Sequence, residues 1–201
     1  MSQIKEIIAE IETDLGLRPG FFSDLKKDDD WSFLIKVHAL MESVCSHLLS
    51  LYFSDTKFKD IFSLLEMSDT KKGKIAFLRA SGLINKEEAR FIRGLSELRN
   101  KMVHKIEGIH FKFSDYITKL DKQQRNSFVN TFGYAYFAEE NHVLNDHELN
   151  LSDPKNYIWW GVAIIQAIIK LQVDTRFFNE QATKSKLRMY ELIESDNSDI
   201  Q

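Results

Sequence analysis

Residues 85–104, NKEEARFIRGLSELRNKMVH, predict a long amphipathic helix. Asn85, followed three positions later by Glu88, resembles a capping box with Asn in place of the usual Ser or Thr. Apolar residues then recur at steps of 4, 3 and 4: Phe91, Leu95, Leu98 and Met102. Polar residues recur at the same steps: Arg93, Glu97, Asn100 and His104. We expect the first stripe to face the core, and the pattern alone favours a water-facing second stripe.

The composition extends this helical pattern to the rest of the chain. Only 8 of the 201 residues are Gly and 2 are Pro, so long stretches carry no turn signal. The hydrophobic fraction of 43% and the charged fraction of 28% suit one compact core. We therefore predict an all-α fold in a single domain over residues 1–201.

Helix limits follow from the spacing of apolar residues and from capping residues. The predicted helices are 3–15, 31–53, 72–83, 85–104, 114–132 with or without a break, 154–178 and 181–194. The three aspartates at 28–30 are expected to cap the second helix, and Ser114 the fifth. Residues 20–22 are predicted to form a loop, and residues 139–156 an irregular segment.

Three features predict a cytoplasmic protein without a membrane span. Cys45 is the only cysteine, so no internal disulfide can form and a reducing compartment fits best. Residues 1–16 alternate charge with isoleucine, unlike a signal peptide. Residues 157–171 are shorter than the roughly 18 to 20 residues of a membrane span and include Gln166 and Lys170. We expect them to form a buried helix.

The net charge of −3 conceals an uneven distribution. Residues 71–125 carry 14 Lys or Arg and 6 Asp or Glu, a net of +8, which leaves −11 for the other residues. One interpretation is a local surface for phosphates, because clustered cations attract a polyanion. The other is that basic and acidic parts pair within the fold or across a dimer.

The end of the 85–104 helix resembles a known family signature. Arg99, Asn100, three further residues and His104 match the motif of the HEPN superfamily. The wider stretch is similar to the mannitol repressor-like branch of that superfamily: KIAFLRASGLINKEEARFIRGLSELRNKMVHKIEGIHFKFSD. In that branch a short helix, a Gly-Leu-Ile turn and the motif helix follow in this order. The resemblance covers roughly residues 30–125.

This resemblance implies both a fold and an activity. The fold is a HEPN-type helical bundle over about residues 25–178, with an additional C-terminal helix and frayed tail over 179–201. Active members of the superfamily cleave RNA without a metal ion or other cofactor. The resemblance therefore implies a metal-independent endoribonuclease acting as a toxin or defence effector, with an antitoxin or regulatory protein as partner.

The residue types suit that chemistry. Attack of a ribose 2′-hydroxyl on its phosphate needs a proton acceptor, a proton donor and a cation for the developing charge. His104 can serve as acid or base near neutral pH, and the planar guanidinium of Arg99 has a geometry suited to phosphate oxygens. Asn100 shares a helix face with His104, so it can orient the imidazole or bind substrate. Arg99 lies about 140° around an ideal helix from His104, so its long side chain must bend around the helix to reach the face that carries His104.

A motif with one histidine supplies only half of an acid–base pair. Two motifs facing each other across a two-fold axis would supply both groups, so the mechanism predicts a homodimer with a composite cleft. The cations expected to bind RNA are Arg93, Lys101 and Lys105. Three aromatic residues interleave with Lys112 and could stack on bases, although core packing is the commoner role: Phe111, Phe113 and Tyr116.

Glu42 and His38 are the expected supporting residues. Both fall on the apolar side of the 31–53 helix, where a carboxylate is costly unless it is paired. Arg99 and His104 are the expected partners of Glu42, because HEPN proteins that resemble this chain pack the corresponding helix against the motif helix. The alternative is that Glu42 lies at the edge of the apolar face and reaches solvent. A hydrogen-bonded core position is favoured over catalysis for His38.

Other site types are not favoured. One cluster contains potential metal ligands but has the composition of a solvated loop and a poor spacing for one helix face: Glu139, Glu140, His142, His147 and Glu148. The principal rival to the ribonuclease is a catalytically inactive, mannitol repressor-like regulator that works through protein contacts. A third class is a structural dimer that only scaffolds or neutralises a partner.

Overall fold

The structure is a computed structural model that describes residues 2–54, 57–104, 106–133, 151 and 153–198. These ranges contain nine α-helices: α1 Ser2–Asp14, α2 Phe21–Asp24, α3 Asp30–Tyr52, α4 Phe58–Leu64, α5 Lys74–Ala80, α6 Lys86–Val103, α7 Phe113–Thr118, α8 Lys122–Phe132 and α9 Pro154–Ser198. Two 3₁₀ segments lie among them, at Leu25–Lys27 and Ile106–His110. The described residues form no strand, so the predicted all-α class is confirmed.

Helix α3 lies at the centre of the fold and packs against α4, α5, α6 and α9. Its apolar side chains are buried around the helix: Phe33, Leu34, Val37, Leu40, Met41, Val44, Cys45, Leu48 and Leu49. This helix is long and apolar enough to cross a membrane, but 61% of its apolar window is buried inside the protein. Buried side chains from all nine helices join in one hydrophobic cluster. The core is therefore organised around α3.

The predicted helix caps are present on the two helices that matter most for the site. The Asp29 carboxylate accepts a hydrogen bond of 3.0 Å from the backbone N–H of Ser32 and caps α3. Asn85 and Glu88 form the capping box of α6, with each side chain accepting from the other residue's backbone N–H. Both caps fix where these helices begin.

The apolar stripe of α6 faces the core as predicted. Phe91, Leu95 and Leu98 are buried, and Met102 is half-buried. Helix α9 crosses this face at Gly161, where a Cβ atom would lie only 2.1 Å from Cε2 of Phe91. Glycine is therefore required for the close approach of α9, and this contact fixes the position of the motif helix.

The predicted loop at 20–22 is wrong, because the chain forms the short helix α2 there. The carboxylate of Glu12 is buried and accepts hydrogen bonds of 2.8 Å from the backbone N–H groups of Gly20 and Phe22. This carboxylate from α1 thus satisfies backbone groups at the start of α2. Sequence periodicity has no means of finding a cap that comes from another helix.

The predicted cap at Ser114 is also wrong. Ser114 lies inside α7, and its hydroxyl contacts the neighbouring Asp115 carboxylate at 3.2 Å. Helix α7 ends at Thr118, and Asp121 caps the start of α8 through a capping box with Gln124. The predicted helix over 114–132 is therefore two helices.

Three further boundaries differ from the predictions. Helix α4 was not predicted, and α5 is shorter than the predicted 72–83. Helix α9 runs unbroken through Phe178 and Gln181, because no Gly or Pro interrupts it there. Most of the segment predicted to be irregular, 139–156, lies outside the described residues.

Candidate functional site

The Arg99–His104 motif lies at the C-terminal end of α6. Arg99 and Asn100 are half-buried, whereas the His104 side chain is exposed. His104 is the C-cap residue, and its backbone N–H donates to the carbonyl oxygen of Asn100 at 3.3 Å. Asn100 and His104 therefore lie one helical turn apart on the same face, as their spacing predicts.

Arg99 turns toward Asn100. Its Nη1 donates a hydrogen bond of 2.9 Å to the side-chain oxygen of Asn100. This bond draws the guanidinium toward the face that carries His104 and reduces the angular separation expected from an ideal helix. The amide oxygen of Asn100 thus holds the cation, and its NH₂ group stays available to another acceptor.

His38 on α3 lies behind the motif and contacts α6. Its Nε2 is 3.1 Å from Oγ of Ser96, and that hydroxyl donates to the carbonyl of Ile92 at 3.1 Å. Since the hydroxyl proton is committed to Ile92, His38 Nε2 is the donor to Ser96. His38 is 8% exposed, which confirms the expectation of a hydrogen-bonded core histidine.

The charge state of His38 is set by its surroundings. Burial lowers the pKa of the imidazole below its ordinary 6.5. The nearby Glu42 carboxylate opposes this by raising the pKa, and the Arg99 guanidinium lowers it further. His38 is therefore neutral at pH 7, and Glu42 on α3 and Arg99 on α6 change its pKa in opposite directions.

Glu42 forms an ion pair, but with a partner that the sequence did not indicate. Its Oε1 lies 3.1 Å from Nζ of Lys74 on α5. The expected partners, Arg99 and His104, are wrong. Glu42 is also 39% exposed at its side chain, so it lies at the edge of the apolar face and is paired there.

Lys74 is fully buried, with 0% of its side chain exposed. Besides the ion pair with Glu42, its ammonium donates to the backbone carbonyls of Ser63, at 3.3 Å, and of Leu65. These three acceptors offset the cost of burying the charge. Lys74 was missed, although its four-residue spacing from buried Leu78 places a lysine on the apolar face of α5.

Five residues thus form a polar layer between three helices, which we call the α3–α5–α6 polar cluster: His38, Glu42, Lys74, Ser96 and Arg99. Hydrogen bonds and charge interactions connect His38 to the other four. Arg99 interacts with His38 through its charge, and its hydrogen bond is to Asn100 of the motif. The bond between His38 and Ser96 connects α6 to α3, and the Glu42–Lys74 ion pair connects α3 to α5.

The predicted RNA-binding cations are in different environments. Arg93 is exposed and forms an ion pair with Glu97 at 3.5 Å. Lys101 is exposed, and its Nζ lies 5.0 Å from the ring centroid of Tyr116. Lys105 lies outside the described residues.

The neighbouring aromatic residues pack together. The rings of Phe111 and Phe113 are 4.9 Å apart, and those of Phe111 and Tyr116 are 5.9 Å apart. Phe113 is buried, and burial raises the pKa of the Tyr116 hydroxyl. These contacts support the core-packing role for Phe111, Phe113 and Tyr116.

A groove on another side of the protein has a volume of about 570 Å³ and is lined by Tyr52, Leu83 and Arg176, among others. None of the motif residues lines it. No group of three or more His, Cys, Asp or Glu side chains in the described part of the chain is placed to bind a metal ion. The potential ligands at 139–148 lie outside that part.

Comparison with known proteins identifies no relative. The chain matches no protein-family model, no curated protein and no solved structure. The all-α class therefore stands on the structure itself, and the HEPN type stays a prediction.

Proposed function

We propose that this chain is a metal-independent endoribonuclease of the HEPN type that acts in the cytoplasm as a toxin or defence effector. The observation that carries the proposal is the arrangement at the end of α6. The Arg99 guanidinium is bonded to the Asn100 side chain, and an exposed His104 lies one turn further along. A cation, an amide and an exposed imidazole thus lie within six consecutive residues at the end of α6.

Each residue has a role in the proposed reaction. His104 takes the proton from the 2′-hydroxyl or delivers one to the leaving 5′-oxygen. Arg99 binds the non-bridging phosphate oxygens and stabilises their developing charge. Asn100 holds the guanidinium through its oxygen and offers its NH₂ group to substrate. The expected products are a 2′,3′-cyclic phosphate and a 5′-hydroxyl.

The charge around the motif supports a polyanionic substrate. The motif lies inside the basic 71–125 segment, and Arg93 and Lys101 are exposed on the same helix. Arg93 is paired with Glu97, whereas Lys101 lies over an aromatic ring. Lys101 is therefore the stronger candidate for a phosphate contact.

The single histidine of each motif supports a dimeric enzyme. A second copy would contribute the other proton-transfer group, so we propose that the active form is a homodimer with two motifs in one cleft. His38 does not supply this second group, because it is buried and donates to Ser96.

The test is cleavage of a mixed RNA pool by the purified chain in EDTA, compared with His104→Ala and Arg99→Ala. His110→Ala is the matched control, because His110 is an exposed histidine only six positions away. Wild type and His110→Ala should cut RNA and leave cyclic phosphate ends. The His104 and Arg99 variants should lose at least about 100-fold in rate. Equal cleavage by all four proteins would refute the proposal.

A second candidate is a catalytically inactive regulator that works through protein contacts. It is favoured by an apolar surface on α4, where Phe58, Ile61 and Leu64 are exposed. If wild type leaves RNA intact, binding by a protein partner that is lost in Ile61→Glu would support this second function.

A further inference from the structure

The outer face of α9 carries apolar and small residues at the spacing of a coiled coil. Six positions at alternating steps of 4 and 3 define this stripe, which we call the α9 seam: Leu171, Thr175, Phe178, Ala182, Ser185 and Met189. All six are exposed, and the three large side chains are 52% to 71% accessible. A stripe at this spacing matches the contact face of a two-helix coiled coil.

The α9 seam faces away from the core of its own chain. Ile169 and Val173 of the same helix are buried, and they point to the opposite side of α9 from Leu171. From residue 177 to 191 every residue of α9 except Glu180 is exposed, although Asn179 and Thr183 still line the groove beside Tyr52 and Leu83. Two of the six seam residues, Leu171 and Thr175, therefore lie where α9 packs on the core, and the other four lie along its exposed C-terminal part.

We infer that the α9 seam binds the same seam of a second copy of this chain, with the two helices antiparallel. In the register that pairs Phe178 with Ala182, Leu171 lies opposite Met189 and Thr175 opposite Ser185. Large side chains then meet small or flexible ones, and the two hydroxyl-bearing residues meet each other. Each pair occurs twice, because the interface is two-fold symmetric.

The charges beside the seam favour the antiparallel orientation. In this register Asp174 of one copy lies next to Arg188 of the other, again twice. Asp174 binds Lys170 within its own chain at 2.7 Å and remains partly exposed. A parallel pairing would bring together the two basic ends, which contain Lys184, Lys186 and Arg188.

The paired segment covers about five helical turns. From Leu171 to Met189 the helix extends about 27 Å. The C-terminal part of each α9 would lie along the outer face of the other copy's α9. This inference does not depend on the proposed ribonuclease activity, since the seam shares no residue with the motif.

The first test is the mass of the full chain in solution, measured by light scattering and sedimentation at about 10 to 100 μM, the range in which weak dimers form. Phe178→Glu places a charge in the seam. Leu187→Glu is the matched control, because Leu187 is 58% exposed on another side of the same helix. Wild type and the Leu187 variant should be dimers, and the Phe178 variant a monomer with unchanged helix content. A monomeric wild type, or a Phe178 variant that dimerises as well as wild type, would overturn the inference.

The second test fixes the orientation with a short bismaleimide cross-linker. In the antiparallel register Gln181 of one chain lies near Gln181 of the other, so Gln181→Cys should cross-link to a dimer. Ser185→Cys should not, because the two Ser185 residues lie near each other only in a parallel pairing. The native Cys45 does not interfere, since it is buried and its thiol pKa is raised to about 12. The reverse result would overturn the antiparallel register.

Discussion

The α3–α5–α6 polar cluster and the exposed end of α6 are neighbours, yet they differ in how their polar groups are satisfied. In the cluster, Lys74 has three acceptors and His38 is bonded to Ser96, with both side chains buried. At the end of α6, the His104 side chain is exposed and makes no hydrogen bond to the described residues. Arg99 belongs to both regions.

This difference separates groups that stabilise the fold from groups that are available for chemistry. Buried polar groups need partners, so their removal is expected to cost stability. An exposed imidazole contributes little to stability and is accessible to a substrate. The two regions therefore predict opposite effects of substitution, and each can be tested.

The largest effect is expected when the ion pair of the cluster is broken. Glu42→Ala leaves the Lys74 ammonium buried with only backbone carbonyls as partners. We expect the free energy of unfolding to fall by about 3 kcal/mol, the lower end for loss of one partner of a buried pair, because Glu42 is itself partly exposed. Urea denaturation followed by circular dichroism measures this loss.

Glu97→Ala is the control for that experiment. Glu97 is also an ion-paired glutamate, but its side chain and that of Arg93 are both exposed. Its removal should cost less than about 1 kcal/mol. If the two glutamate variants lose the same stability, the distinction between the cluster and the surface fails.

A smaller effect is expected for the hydrogen bond between α3 and α6. Ser96→Ala removes the acceptor of His38 Nε2 and leaves a buried donor unpaired. The expected loss is about 1 to 2 kcal/mol. Ser43→Ala is the matched control, because Ser43 on α3 makes only an exposed bond to the carbonyl of Ala39. A comparable loss in both variants would contradict the role given to Ser96.

The pH dependence of stability provides a third comparison. Because the pKa of His38 is lowered in the folded protein, the unfolded chain takes up the proton first as the pH falls. This contribution is complete above pH 6.5 and is lost as the pH falls from there through the lowered folded pKa. One proton corresponds to at most about 1.4 kcal/mol per pH unit.

His38→Gln keeps a donor for Ser96 but cannot titrate. The slope of unfolding free energy against pH between 6.5 and 5 should therefore become shallower in this variant, without vanishing, because burial also lowers the pKa of His47. Denaturation at several pH values measures the slope. An unchanged slope would mean that His38 is not held neutral by the fold.

The sequence predicted the helices whose signals are local. Asp29 for α3 and the Asn85–Glu88 pair for α6 act within their own helices, so pattern and capping rules suffice. Glu12 could not be found in this way, because it caps α2 from a different helix. The continuation of α9 past Phe178 was missed, although no Gly or Pro interrupts the chain between Phe178 and Gln181.

At the site, too, the sequence predicted only what local signals determine. Spacing placed Asn100 and His104 on one face, and the buried position of His38 followed from its place among apolar residues. The partner of Glu42 depends on how α5 packs against α3, which is a tertiary contact. Two oppositely charged residues on apolar faces, Glu42 and Lys74, are the signal that could have suggested their pairing.

The smallest effect on stability is expected at the motif itself. His104→Ala removes a side chain that is exposed, and the backbone hydrogen bond to Asn100 is kept. The free energy of unfolding should change by less than about 0.5 kcal/mol. In contrast, Arg99→Ala should cost more, because Arg99 is half-buried and donates a hydrogen bond to the Asn100 side chain.

The variants His104→Ala and Arg99→Ala test the function when RNA cleavage and stability are measured on the same proteins. If His104→Ala abolishes RNA cleavage at unchanged stability, the lost activity cannot be attributed to misfolding, and the imidazole itself is required. A loss of stability of 1 kcal/mol or more in His104→Ala would mean that the histidine contributes to packing or capping, as the residues of the cluster do. The end of α6 would then be an ordinary helix terminus, and the main structural support for the ribonuclease proposal would be gone.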